Sequence, residues 1–428
     1  MSKRIFLIDG TRSPIVKARS GRGPFSSSEL AVQAGRPLLA RSGIDIKNFD
    51  EVILGCIMPS EREANIGRVV ALRLGFDEST PAFTVQRNCA SGMQSIDSGF
   101  NSIQRGASEL VLAGGVEAMS HAPVLFNEHY VNWLGKFATS KTFGQKMKSL
   151  SQFRLSMLKP VFALEHGLTD PIVNLNMGHT AEKIAARFDI SRKQMDEFAV
   201  TSHLRSVEAR ENGVFDGEVV PLYDTKGKVY TFDDGVRADS NVEKLGTLRP
   251  VFDKPHGKVT AANSSQISDG ASWIIMASED AVKKYKLQPM AEIKTIKWAG
   301  LDPAQMGLGP VYAVAKVLQE QGLSMSDIDF WEINEAFAAQ VLACNAAFDS
   351  EEFCKTELGM DSALGSIDVD KLNIHGGAVA CGHPVGMSGN RLVLHIARTL
   401  KQQGAKRGIA TLCIGGGQGG ATLIEAVS

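Results

Sequence analysis

Leu110-Val111-Leu112-Ala113-Gly114-Gly115 and Ile409-Ala410-Thr411-Leu412-Cys413-Ile414-Gly415 are apolar runs that end in glycine, and each follows a segment of the same build. Ahead of the first, Ala90-Ser91-Gly92 opens a helical pattern that closes on Gly106-Ala107. Ahead of the second, Met387-Ser388-Gly389 opens one that closes on Gly404-Ala405. Glycine after a helix is common by itself, so a second anchor matters. Residues 39–54, from Leu39 through Gly43 and Asp50 to Leu54, align with residues 318–333, from Leu318 through Gly322 and Asp329 to Ile333. Both read as helix end, glycine stop, acidic turn and buried strand. Two anchors in the same order predict an α/β protein made of two repeated halves. The runs are continuous rather than alternating, which suits sheets covered by helices on both faces.

The halves are expected at 1–275 and 276–428. Between the anchors, about 121–245, charge rises, turns such as Asn212-Gly213 and Asp234-Gly235 enter and the repeat is lost, so this stretch reads as an excursion from the first half. A smaller insertion, roughly 348–371, interrupts the second. Within the excursion, 136–160 interleaves Lys136, Lys141, Lys146, Lys148, Arg154 and Lys159 with apolar residues. Such a stretch can lie on a membrane or a partner; an ordinary helix with a solvated charged face is the favoured reading.

A chain of 428 residues with 43% hydrophobic content supports two or three domains and a sizeable core. Lys+Arg 46 against Asp+Glu 47 argues against a nucleic-acid partner held by phosphate neutralisation. Six cysteines without a CxxC pair indicate neither a disulfide framework nor a zinc site, and a reducing, cytoplasmic setting is expected. The run Ile5-Phe6-Leu7-Ile8 before Asp9-Gly10 is too short for a signal segment and predicts a first strand. No stretch approaches the ~18 apolar residues of a membrane span, and Glu425-Ala426-Val427-Ser428 matches no peroxisomal or retention address.

Chemistry concentrates in three glycine-embedded segments. Cys89, in Asn88-Cys89-Ala90-Ser91-Gly92, stands where strand-like Pro81–Val85 gives way to a helix start, whose free N–H groups are expected to draw its pKa from about 8.5 toward neutrality. The alternative is a small buried hydrophobe. His383, in Gly382-His383-Pro384-Val385-Gly386, is a candidate base, because imidazole titrates near working pH. Cys413, ahead of Gly415-Gly416-Gly417, is a second candidate thiol, or an inert buried one. Cys56, Cys344, Cys354 and Cys381 are read as inert.

Together with Asn334-Glu335-Ala336-Phe337-Ala338, Gly10-Thr11-Arg12-Ser13-Pro14, Gly114–Ser120, Met177–Glu182 and Lys258–Ser265, these segments resemble the thiolase family over essentially the whole chain. The resemblance implies a layered αβαβα thiolase fold with a loop-domain insertion. It also implies acyl transfer between coenzyme A thioesters in fatty-acid metabolism, in the β-oxidation direction or in reverse. CoA would be a substrate, with no bound cofactor and no metal. Cys89 would be the nucleophile, His383 its base and Cys413 the acid/base at the enolate carbon. The N–H groups of Cys89 and Gly415 would form one oxyanion site, with His383 and a water on Asn334 forming the other. Asn334 can also be read as a helix cap. Ser265, Arg237 and Phe252 would contact CoA, and Met177 and Phe337 would line the thioester pocket; Arg237 can equally be a solvated charge. A homodimer or homotetramer is implied, and association with a hydratase/dehydrogenase subunit enters because some members serve oxidation complexes. The rival functions are a binding or structural subunit and a condensing enzyme of related fold.

Overall fold

The computed structural model describes residues 3–427; Met1 and Ser2, before the expected first strand, and Ser428, in the C-terminal tail, lie outside them. The first half runs β1 (Ile5–Arg12), α1 (Ser27–Ser42), β2 (Glu51–Gly55), α2 (Ile66–Leu74), β3 (Ala82–Val85), α3 (Ser91–Gln104) and β4 (Leu110–Ala118). The chain then leaves the sheet for α4 (Glu128–Thr139), α5 (Phe143–Ser151), α6 (Met177–Arg187) and α7 (Arg192–Glu211), and returns as β5 (Ser268–Ser278). The second half is β6 (Ala291–Gly300), α8 (Gly309–Gln321), β7 (Phe330–Ile333), α9 (Ala338–Asp349), α10 (Val385–Gln403), β8 (Arg407–Ile414) and β9 (Gln418–Ala426).

Strand pairing repeats along with the sequence anchors. β2 runs parallel to β4 as β7 does to β8; β4 is antiparallel to β5 as β8 is to β9; β5 pairs with β1 as β9 does with β6. Even the irregularity recurs, with a register shift between Leu7 and Asp9 in β1 and another between Ile293 and Thr295 in β6. Helix α1 stops at Gly43 (φ 65°) and α8 at Gly322 (φ 62°), left-handed positions that glycine adopts without a Cβ penalty. The doubling has one addition. β1 also meets β6 through Phe6–Glu292 and Leu7–Ala291, so both halves share one 10-stranded sheet ordered β7-β8-β9-β6-β1-β5-β4-β2-β3, with Val16–Lys17 beside β5. The boundary expected between 275 and 276 falls inside β5, which pairs with first-half strands along its length.

Helices α3 and α10 lie between the strands of the two halves, packing with Ile53, Val111 and Ile274 on one side and with Ile293, Leu412 and Ile424 on the other. They approach so closely that a Cβ on Gly389 would sit 2.6 Å from the backbone nitrogen of Met93. On the outer faces, α1 and α2 cover the first half around Trp273, and α8 and α9 cover the second around Trp331. The layers are therefore αβαβα.

The excursion leaves the first half but packs on the second. From α7, Ser202 donates to the Glu335 carboxylate (2.6 Å), Arg205 to the Leu372 carbonyl (2.7 Å) and Ser206 to the His375 carbonyl (3.2 Å). Residues 136–160 depart from the ordinary-helix expectation: α4 and α5 bury no residue, and Phe143 and Leu155 are 81% and 80% exposed. The physical reason is that this segment folds around its own stack of Tyr130, Trp133, Phe137 and Phe153 rather than on the body of the protein.

Candidate active site

Cys89 occupies the corner between β3 and α3. Asn88 is left-handed (φ 44°), the N–H groups of Ala90 and Ser91 return to the carbonyls of Arg87 and Asn88 at 3.0 Å, and the helix opens at Ser91. The backbone N–H groups of Cys89 itself and of Gly415, from the distant turn after β8, both favour its thiolate. The expectation of an early-ionising thiol is nevertheless overturned: burial is the larger effect and raises the Cys89 pKa above 9.0. Cys89 therefore rests as a neutral thiol, and its attack on a carbonyl requires a base.

His383 follows Gly382 (φ 108°), where a Cβ would lie 2.5 Å from Ser268 Oγ, so the chain can take this path only with glycine. The ring is buried, and that burial, with the charge of Arg391 adding to it, lowers its pKa to about 3. Nδ1 lies 2.6 Å from Ser388 Oγ, whose own hydrogen goes to the Pro384 carbonyl at 3.0 Å. The hydroxyl is thereby left to accept, which puts the proton on Nδ1 and makes Nε2 the acceptor, facing the Asn334 amide. Nε2 is 3.4 Å from Asn334 Nδ2.

Asn334, fully buried just past β7, donates its backbone N–H to Thr411 O at 2.9 Å. It caps no helix, since α9 begins after Phe337 without a side-chain cap, so the capping alternative falls. Its Oδ1 has no partner among the described residues. A buried acceptor left unpaired costs ~1–3 kcal/mol, and this one fits a water or a substrate group.

Cys413, near the end of β8, is 1% exposed; burial, then the nearby thiols of Cys89 and Cys344, raises its pKa well above 9.0. The turn that follows contains Gly416 (φ 89°) and Gly417 (φ 74°). Met306 and Ala336 pack against Cys413, joined by Met177 and Phe337. The Phe252 ring stands edge-on to Phe337 at 6.2 Å, and the Ser265 N–H bonds the Ala336 carbonyl at 2.9 Å. Of the five residues expected to contact CoA or the thioester, Arg237 stands apart from this group: it is exposed, with its N–H on His203 Nδ1 and its charge near Lys17. A surface cavity of about 730 Å³ beside Arg41, Lys286 and Arg398 contains none of these groups.

Three residues that the sequence reading did not single out shape the site. Ser388 orients the imidazole. Asn88 donates its side-chain Nδ2 to the Gly415 carbonyl at 2.8 Å. Glu335, buried, accepts from Ser202, from Asn373 Nδ2 (2.8 Å) and from the Val379 N–H (3.1 Å), fixing the segment that leads to His383. All three left a trace in the sequence, as polar residues inside the apolar or glycine-rich motifs.

Residues 5–280 match the family model described as "Thiolase, N-terminal domain", and residues 287–426 match "Thiolase, C-terminal domain". The chain is 36% identical to the "Trifunctional enzyme subunit beta, mitochondrial" of Mus musculus over 99% of this chain and 88% of that protein. It is 35% identical to the "3-ketoacyl-CoA thiolase" of Shewanella sp. (strain ANA-3) over 99% and 97%. Among solved structures, the human mitochondrial 3-ketoacyl-CoA thiolase in complex with CoA is similar at a TM-score of 0.85, 35% identity and 99% and 98% coverage. The Bacillus anthracis acetyl-CoA acetyltransferase is similar at 0.84, 36% identity and 100% and 99% coverage.

Proposed function

This chain belongs to the thiolase family, and we infer that it carries acyl groups between coenzyme A thioesters through a covalent intermediate on Cys89. What supports the reading most is that the Cys89 and Cys413 thiols lie close enough to act on each other's charge beside the glycine turn of Gly415, while the neutral His383 imidazole is held by Ser388 at 2.6 Å and lies 3.4 Å from Asn334.

In thiolysis, His383 Nε2 takes the Cys89 proton as the sulfur attacks the 3-keto carbon. The adduct's oxygen accepts from the N–H groups of Cys89 and Gly415, each such donor being worth ~3 kcal/mol. As the adduct collapses, the C2–C3 bond breaks and its electron pair goes to the acetyl-CoA enolate. That oxygen is held by His383, now protonated, and by a water on Asn334, while Cys413 delivers its proton to C2. The resulting Cys413 thiolate then removes the thiol proton of a second CoA. This CoA thiolate attacks the acyl carbon, and Cys89 leaves, recovering its proton from His383. All three groups return to their starting states, and the reverse sequence is a Claisen condensation.

The substrate is a 3-oxoacyl-CoA, with Met177, Phe337, Phe252 and Ser265 bordering the thioester and pantetheine; Arg237 is retained only as a nucleotide contact. A homo-oligomer is supported by the edge strand β3, where Phe83 is 36% exposed. Association with a hydratase/dehydrogenase subunit is supported by the name of the murine relative, and a reducing compartment such as the cytoplasm by six unpaired thiols. Thiolysis rates with 3-oxoacyl-CoA substrates from four carbons upward test the reading. Turnover with at least one of them is expected, and binding without turnover of any would leave a binding subunit.

A further inference from the structure

We propose that Arg87 and Asn88 form a two-point latch, positioning residues that hold the glycine turn after β8 at the spacing from Cys89 that an oxyanion requires; the inference rests on the acyl-transfer reading. The turn is Gly415-Gly416-Gly417, set between Ile414 and Gln418, which face each other as the last pair of the β8–β9 hairpin. Gly416 (φ 89°) and Gly417 (φ 74°) are left-handed, and a run of three glycines has no side chain to close off its other paths. An oxyanion donor, by contrast, serves only where it already points at the developing charge. The turn must therefore be fixed from outside.

Both ties come from the residues just ahead of the nucleophile, and they meet the turn at its two ends. Asn88 donates Nδ2–H to the Gly415 carbonyl at 2.8 Å. Arg87 donates from its guanidinium to Gln418 Oε1 at 3.1 Å. Gly415, held by its carbonyl, presents its N–H to the Cys89 sulfur. The two oxyanion donors, one from each half, are thereby joined.

The latch is itself braced. Ser91 Oγ accepts the Arg87 N–H at 2.9 Å and donates to the Asn88 carbonyl at 2.7 Å, which fixes the backbone of both residues. The Arg87 guanidinium lies 4.1 Å from the centre of the Trp298 ring and donates Nε–H to Gln94 Oε1 at 2.7 Å. Gln94 and Trp298 both donate to Asp97 Oδ2, at 3.0 and 3.2 Å. Trp298, on β6, stands opposite Gly420 of β9, where a Cβ would come within 2.5 Å of its ring. The side chain of Arg87 is thus seated on the second half while its backbone belongs to the corner that carries the thiol.

The test is steady-state thiolysis by the full-length protein, together with the pH dependence of Cys89 alkylation by iodoacetamide. Gly, Asn and Asp all tolerate the left-handed φ of 44° at residue 88, so substitution there keeps the corner. Asn88→Gly should lower kcat about tenfold at nearly constant KM. Asn88→Asp, which sets a negative charge against the Gly415 carbonyl, should lower it further. Arg87→Met should lower kcat about threefold, with Arg87→Lys restoring part of it. Asn88→Gly with Arg87→Met should cost at least the product, about thirtyfold, because the turn then keeps neither tie. Since the Gly415 N–H favours the thiolate, the alkylation midpoint should rise by about one pH unit in Asn88→Asp, a change that lost stability alone does not produce. Glu117 and Cys413, the other ionisable neighbours of Cys89, are untouched in these variants. Equal kcat in wild type, Asn88→Gly and Asn88→Asp would show that only the backbone conformation matters and overturn the assignment. Lost activity with an unmoved alkylation midpoint overturns it as well. Wild-type inactivity with every 3-oxoacyl-CoA would instead strike the acyl-transfer reading, and the alkylation midpoints, which need no substrate, would still decide the latch.

Discussion

The corner before α3 and the corner before α10 occupy equivalent places in the two copies, yet they carry opposite chemistry. At the first, a left-handed Asn88 delivers a thiol to the helix start; at the second, Gly382 and Pro384 deliver a buried imidazole. Because α3 and α10 touch through Gly92 and Gly389, both helix starts open into one place. The two matching positions hold a thiol and an imidazole, which on the proposed acyl-transfer reading serve as nucleophile and base. Neither group is ionised at rest, since burial raises the thiol and lowers the imidazole. On that reading the proton passes to the imidazole only as the sulfur attacks a carbonyl.

Breaking the first corner should have the largest effect: Cys89→Ala is expected to lower thiolysis by about 10⁴-fold or more, read as kcat/KM. Cys413→Ala should cost about 10²–10⁴-fold and abolish deuterium exchange at the acetyl-CoA methyl group, while Cys89 still accepts an acetyl group. Unchanged exchange would remove Cys413 from the mechanism. At the second corner, Ser388→Ala frees the imidazole to turn and should lower kcat roughly tenfold, with Ser388→Thr restoring part of it in the same assay. Tightening the contact between the corners, Gly389→Ala should destabilise the fold by about 1–3 kcal/mol, seen in denaturant unfolding.

The smallest effect is on pH dependence. His383 and His375 are lowered by burial to about 3, and His203 to about 4, from 6.5. Each folded-state pKa is depressed, so each contributes stability that is present above 6.5 and lost as pH falls toward the folded value. Glu117, raised by burial to about 7 from 4.5, works the other way, its contribution being lost as pH rises through 7. Thermal unfolding midpoints should fall from pH 6.5 to pH 4, and a flat profile would contradict the three buried neutral imidazoles.

The doubled scaffold was legible because Gly43, Gly322 and the strand runs are local signals, and each glycine stop has the left-handed φ that its position requires. The three candidate segments stood out because glycine and proline mark irregular backbone around Cys89, His383 and Cys413. What escaped depends on neighbours distant in sequence. The direction of the Cys89 shift is set by how deeply the junction buries the sulfur, the helix-cap reading of Asn334 fails because the helix begins only after Phe337, and the Asn88–Gly415 bond spans both halves. Residues 136–160 look amphipathic in sequence, and only the fold reveals that their apolar face has no core to join.

The most direct measurement is intact-protein mass spectrometry after brief mixing with acetyl-CoA and acid quenching. One added acetyl group, located to the peptide holding Cys89 and discharged by free CoA, is the predicted result. Efficient cleavage of acetoacetyl-CoA with no such adduct, or with the adduct on another residue, would contradict the account.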